Sequence, residues 1–149
     1  MNLVDYTGYL NNHADYVKII NKINNKCDYI EIVILEKKES NEFVDKFSEF
    51  IIEKKKVKKW WGTELFCKKP CNNLYKIKYN EKIYLYLLQF ETFCKYFKFG
   101  DNKKSLEIGD YSEITDFGID DIAFYDRDGN TLLNTTTHEG YITINEELI

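Results

Sequence analysis

Apolar positions recur at two different periods along the chain, and the changes of period mark its elements. In the segment Tyr9–Asn25, Tyr16, Ile19, Ile20 and Ile23 fall at i, i+3, i+4 and i+7. That spacing makes one stripe of an amphipathic helix, and Asn24–Asn25 offers its stop. Tyr29–Leu35 (YIEIVIL) is β-branched and almost continuously apolar, as a central strand covered on both faces would be. Ser40 or Asn41 can cap a second helix, because a short side-chain oxygen there accepts an orphan backbone N–H. This helix is expected from Asn41 to Val57, about 25 Å long at 1.5 Å per residue. Its core stripe is Phe43, Val44, Phe47, Phe50 and Ile51. Glu42 in its first turn and Lys54–Lys56 in its last turns match the helix dipole.

Trp60–Pro70 reads as a connector. Leu74–Tyr79 (LYKIKY) alternates and Lys82–Phe90 (KIYLYLLQF) is more continuous, with Asn80–Glu81 between them. Together they predict a hairpin. Within the second segment, Ile83–Leu88 is the longest apolar run and suits a buried strand. Thr92–Phe99 fits either period, and Gly100–Asp110 reads as a polar loop. Ile122–Tyr125, Thr131–Thr136 and Tyr141–Ile144 read as three short strands. Asp126–Asn130 (DRDGN) and His138–Gly140 (HEG) supply the Gly and Asx residues of tight turns. The expected fold is a single α+β domain. Two main helices pack on a mostly antiparallel sheet that ends in a three-stranded meander.

Composition narrows the class without naming a reaction. The 149 residues are 44% hydrophobic and 31% charged, ordinary globular usage that argues against disorder. No stretch approaches the length of a transmembrane helix. Met1–Leu10 carries Asp5 and no apolar core, so it does not read as a signal peptide. A cytoplasmic location follows as the expectation, with free thiols at Cys27, Cys67, Cys71 and Cys94. Cys67-x-x-x-Cys71 lacks the spacing and the second pair of a zinc site. No cofactor is expected.

Charge is distributed unevenly. Residues 37–104 carry 17 Lys against 9 acids, while residues 105–149 carry one Arg, Arg127, against 11 acids. The acidic segment holds Glu107, Asp110, Glu113, Asp116, Asp120, Asp121, Asp126 and Asp128. Such a stretch is either a solvated surface or a surface that attracts a basic partner. Three chemistries compete with simple docking. Registering Asp126 and Asp128 on a calcium-binding loop puts Phe124 at its first position and Thr135 at its last, where carboxylates are required, so a hairpin turn is the better reading. Asp116, Asp120, Asp121, His138 and Glu139 could converge into a metal or acid–base cluster if the last strands pair, although no spacing requires it. Lys54–Trp61 (KKKVKKWW) sets lysines beside tryptophans, as nucleic-acid binders do. The bland reading of that segment is a positive helix end followed by a tryptophan anchored in the core. No Gly-rich phosphate loop and no nucleophile elbow occurs.

Residues 114–142 (ITDFGIDDIAFYDRDGNTLLNTTTHEGYI) form the most characteristic stretch. With the small size and the lack of a catalytic set, it resembles the stand-alone immunity proteins that protect bacteria from toxins. The resemblance lies in style over 29 residues and carries no residue roles with it. It implies a non-enzymatic cytoplasmic inhibitor that occludes the active site of one cognate basic toxin, often a nuclease. The residues expected to form the docking surface are Asp116, Asp120, Asp121, Asp126, Asp128 and Glu139. Tyr111 and Tyr141 are expected as anchors, since Tyr is enriched at interface hot spots. The alternatives are a small metal-dependent enzyme built on the Asp/His/Glu cluster and a nucleic-acid binder built on Lys54–Trp61.

Overall fold

The computed structural model describes residues 3–6, 12–35, 41–61, 63–64, 70–94, 114–137 and 140–149. Strand β1 (Leu3–Asp5) is followed by helix α1 (His13–Asn24), which starts where Asn12 Oδ1 accepts the Asp15 N–H at 2.9 Å. The stripe Tyr16, Ile19, Ile20 and Ile23 is fully buried, as its spacing requires. Strand β2 (Tyr29–Ile34) follows and is central.

The next two elements differ from the sequence expectation. Helix α2 covers only Glu42–Lys46, capped by Asn41, and a 3-10 turn spans Ser48–Phe50. Ile51–Val57 is then a strand, β3, rather than the rest of a helix. Phe43 and Phe47 bury one helical face, but beyond Phe50 the chain pairs with strand β6 (Asn72–Lys78) along its full length. Tertiary pairing overrides the helix preference of Glu53–Lys56. A small hairpin of β4 (Lys59–Trp60) and β5 (Thr63–Glu64) lies in what read as a plain connector.

The second difference is the mirror image of the first. Glu81–Leu87 forms helix α3, not the second arm of a hairpin. Asn80, read as a turn residue, is an N-cap: its Oδ1 accepts from the Lys82 and Ile83 N–H groups. Ile83 and Leu87, one turn apart, enter the core, whereas Leu85 on the far side is exposed. Thr92–Cys94, the described part of the ambiguous segment, is irregular; the rest of it and the loop 100–110 lie outside the described residues.

The meander is as expected: β7 (Asp121–Tyr125), β8 (Thr131–Thr136) and β9 (Tyr141–Asn145). All seven main strands form one antiparallel sheet in the order β1-β9-β8-β7-β2-β6-β3. The N-terminal strand thus closes one edge beside the last strand, and β3 closes the other. On one face, Ile30, Ile32, Ile34, Phe124, Leu133, Ile142 and Ile144 join α1, α3 and Phe43 in the main core. On the other, Val33, Leu74 and Trp60 make a smaller cluster. Cys27 and Cys94 are thiols outside any disulfide, but Cys71 is disulfide-bonded, which corrects the expectation of a free thiol there. Disulfides are typical of oxidising compartments. Among the described residues no helix is long and apolar enough to cross a membrane.

Candidate protein-binding surface

The β7–β8 turn displays the first acids. Its shape is set by Asp126, whose carboxylate accepts from the Asp128 and Asn130 N–H groups and from the Asn130 amide at 2.9–3.1 Å. Gly129 takes φ +83°, a conformation open to glycine and costly for other residues. Burial alone would raise the Asp126 carboxyl. The hydrogen bonds from Asn130, Asp128 and Gly129 outweigh it and hold the group below its usual value. Asp126 therefore stays ionised, and Asp128 is exposed in the turn.

Glu146 and Glu147 join this end of the sheet. They follow β9 in a short 3-10 turn capped by Asn145, whose Oδ1 accepts the Glu147 N–H. The Asn145 amide also donates to the Thr131 carbonyl at 3.2 Å, which ties the turn to the start of β8, next to Asp126–Asn130. Both glutamates are exposed. The sequence reading missed them because they lie outside the dense acidic run. The signal that could have found them is Asn145 as a cap ahead of Glu-Glu-Leu.

A tyrosine pair borders the same end. Tyr29 on β2 and Tyr125 on β7 are directly opposed, with ring centroids 4.9 Å apart and 14° between planes. Lys76 Nζ lies over the Tyr29 ring, 4.2 Å from its centroid, and the Tyr125 hydroxyl donates to Glu31. A Cβ placed on Gly129 would lie 3.8 Å from the Tyr29 hydroxyl, so the acidic turn and the pair adjoin. Cations offset part of the charge: Arg127 sits in the turn, and Lys78 pairs with Asp28 at 2.7 Å.

Asp120 and Asp121 do not reach this surface. They are only 5% and 1% exposed, and both are consumed in internal bonds. Asp120 Oδ2 accepts the Leu35 N–H. Asp121 Oδ1 accepts from the Thr135 hydroxyl and the Thr137 N–H, while Oδ2 accepts the Trp60 indole N–H at 2.8 Å. Burial raises the Asp121 carboxyl above its usual value, and these same donors partly offset the rise. The role of these two acids is to fasten the start of β7 to β2, to β8 and to the β4–β5 arm.

Asp116 and Tyr141 lie away from this end. Asp116 is half-buried in the 114–120 turn, where its N–H donates to the Phe93 carbonyl. Tyr141 is 45% exposed but pairs with Thr136, at the end of β8 far from Asp128. Tyr111, His138 and Glu139 lie outside the described residues. Among the described residues no three His, Cys, Asp or Glu side chains gather to hold a metal ion. His13 is exposed on α1 and meets the Glu91 carbonyl through Nδ1.

No family model, no curated protein and no solved structure matches this chain.

The Lys54–Trp61 segment splits into two parts. Lys54–Lys56, Lys58 and Lys59 are exposed. Trp60 is only 4% exposed against Val33 and Leu74, and the Trp61 indole donates to the Thr135 carbonyl. Both indole N–H groups are thus committed inward. Trp60 is thus the tryptophan anchored in the core, while Trp61 is half-buried.

Proposed function

We propose that this chain is a non-enzymatic binding protein of the immunity type, which neutralises a basic partner by covering that partner's working surface. The observation that supports this reading is the acidic end of the sheet. Asp128 projects from a turn that the Asp126 carboxylate holds together, and Glu146 and Glu147 project from a capped 3-10 turn tied to the start of β8. Rigid placement matters, because charges held in position steer a partner and select it without further ordering cost. The stacked Tyr29–Tyr125 pair beside them offers an aromatic anchor at this end. A basic toxin domain, such as a nuclease whose cleft holds phosphate, is the partner that this charge pattern fits.

The test compares the protein with a triple variant, Asp128→Lys, Glu146→Lys and Glu147→Lys, which spares the turn-forming Asp126. Each is immobilised and exposed to lysate from a bacterium that carries a candidate toxin, then washed over a salt series. The expected result is one basic protein retained stoichiometrically by the parent, released by salt and absent from the variant. Retention that the variant leaves unchanged would sink the acidic-end reading.

A further inference from the structure

The two edges of the sheet are built differently. At one edge β1 is three residues long. At the other β3 is seven residues long, and Ile52–Lys56 are all exposed. An edge strand offers a row of N–H and C=O groups to any chain that can align with it. Proteins usually blunt such edges by shortening, covering or charging them. β3 is charged, but it is not short, and among the described residues no strand pairs with its outer side along Ile52–Lys56.

The charge on β3 has one dominant sign and appears on both faces. Lys54 and Lys56 oppose Tyr75 and Asn73 on the helix side, while Lys55 opposes Leu74 on the other. Lys58 and Lys59 extend the run beyond the strand. Lys54 is held over the Tyr75 ring at 5.3 Å. A register irregularity between Ile51 and Glu53 leaves Ile52 without a partner residue on β6 and 54% exposed. Bulges of this kind re-aim a side chain at a sheet edge.

We infer that the outer edge of β3 takes an acidic, extended segment of a partner protein by strand addition. Backbone bonds to β3 give the affinity. Glutamates or aspartates on either face of the added strand meet the lysines as directly opposed cross-strand pairs. An apolar residue of the segment covers Ile52. A second copy of the chain does not fit, because pairing β3 with itself sets lysine against lysine. The lysines therefore reject like edges and admit an acidic one. This surface lies at the far edge from β1 and is independent of the acidic end.

The test uses an acetylated peptide of alternating Glu and Val as the probe. Its controls are the same peptide with Pro at alternate Val positions and an oligothymidylate of equal charge. Binding is followed by fluorescence anisotropy, and hydrogen exchange of the β3 amides is read in parallel. The alternating peptide is expected to bind in a salt-sensitive way and to slow exchange along Ile51–Val57. The double variant Lys54→Glu, Lys56→Glu is expected to weaken binding about tenfold or more, a loss equivalent to removing one strong contact. Three results would each overturn the inference: no binding of the alternating peptide, equal binding of the Pro peptide, or oligonucleotide binding as tight as peptide binding. The triple variant of the acidic end should bind the peptide as the parent does, which keeps failure of one surface distinct from failure of the other.

Discussion

The two faces of the sheet solve the same problem with different chemistry. The helix-side face is closed by aliphatic and aromatic side chains: Tyr16, Ile19, Ile83, Leu87, Phe93 and Phe124 are all fully buried. Its rings meet edge to face, as in Tyr16–Phe93 and Phe93–Phe124. The buried Tyr16 hydroxyl is satisfied by the Leu87 carbonyl at 2.5 Å. On the opposite face, Trp60, Val33 and Leu74 cover a small area, and beside them Asp121 ties three elements together. The first face draws its stability from area removed from water. The second draws it from a few directional bonds to one carboxylate. Area tolerates exchange among apolar side chains, whereas a buried hydrogen-bonded carboxylate tolerates little.

That contrast orders the expected effects of substitution. Phe124→Ala, at the centre of the helix-side core, should cost about 3–5 kcal/mol in denaturant unfolding, from lost transfer energy plus the cavity left behind. Asp121→Asn keeps the shape but points an N–H₂ at one of the existing donors. It should cost about 1–3 kcal/mol, the penalty for a buried donor left unpaired. Trp60→Phe removes only the indole donor and part of the ring, and should fall at the lower end of that range. If Asp121→Asn proved as costly as Phe124→Ala, the division between an area-driven face and a bond-driven face would fail.

The pH dependence sharpens the same contrast. Asp121 has a folded value above 3.8, so its titration favours the folded state below 3.8 and that contribution is lost as pH rises through the folded value. Asp126 has a folded value below 3.8, so its contribution is present above 3.8 and is lost as pH falls through the folded value. Asp121→Asn should therefore remove a downward slope of stability with rising pH on the neutral side. Asp126→Asn should flatten the acid limb instead. Thermal unfolding from about pH 3 to 7 reads both slopes, since each follows the difference in bound protons. Slopes of the reverse sign would mean that the two carboxylates are held otherwise than described. The smallest effect belongs to the surface. Asp128→Lys and Glu147→Lys should shift stability by less than about 0.5 kcal/mol while changing partner capture.

Parts of this molecule were legible because their information is local. The buried stripe of α1, the strand β2 and the three strands of the meander all follow from spacing and from turn residues that lie next to one another. Gly129 and Asp126 announce their turn wherever the chain is placed. The charge asymmetry was equally plain, and it became a spatial one, because sheet order puts the lysine-rich β3 at one edge and the meander toward the other. The candidate surface was legible only in part. Asp126 and Asp128 lie together in the β7–β8 turn, with Asp128 exposed. Asp120 and Asp121 looked identical to them in sequence and yet serve as internal fasteners.

By itself, the sequence determined an α+β chain with one amphipathic helix, one central strand and a terminal meander, because period, caps and turn residues act over a few neighbours. Tertiary structure alone decided the exchange of roles between Ile51–Val57 and Glu81–Leu87. The first is rich in helix formers but lies against β6, whose backbone groups need a partner on that side. The second carries strand-forming Ile and Tyr but is capped by Asn80 and buries Ile83 and Leu87 from one face. Tertiary structure also decided which acids face water. A carboxylate is buried only where donors from distant parts of the chain converge on it. For Asp121 those donors are Trp60, Thr135 and Thr137, and only the fold brings them together.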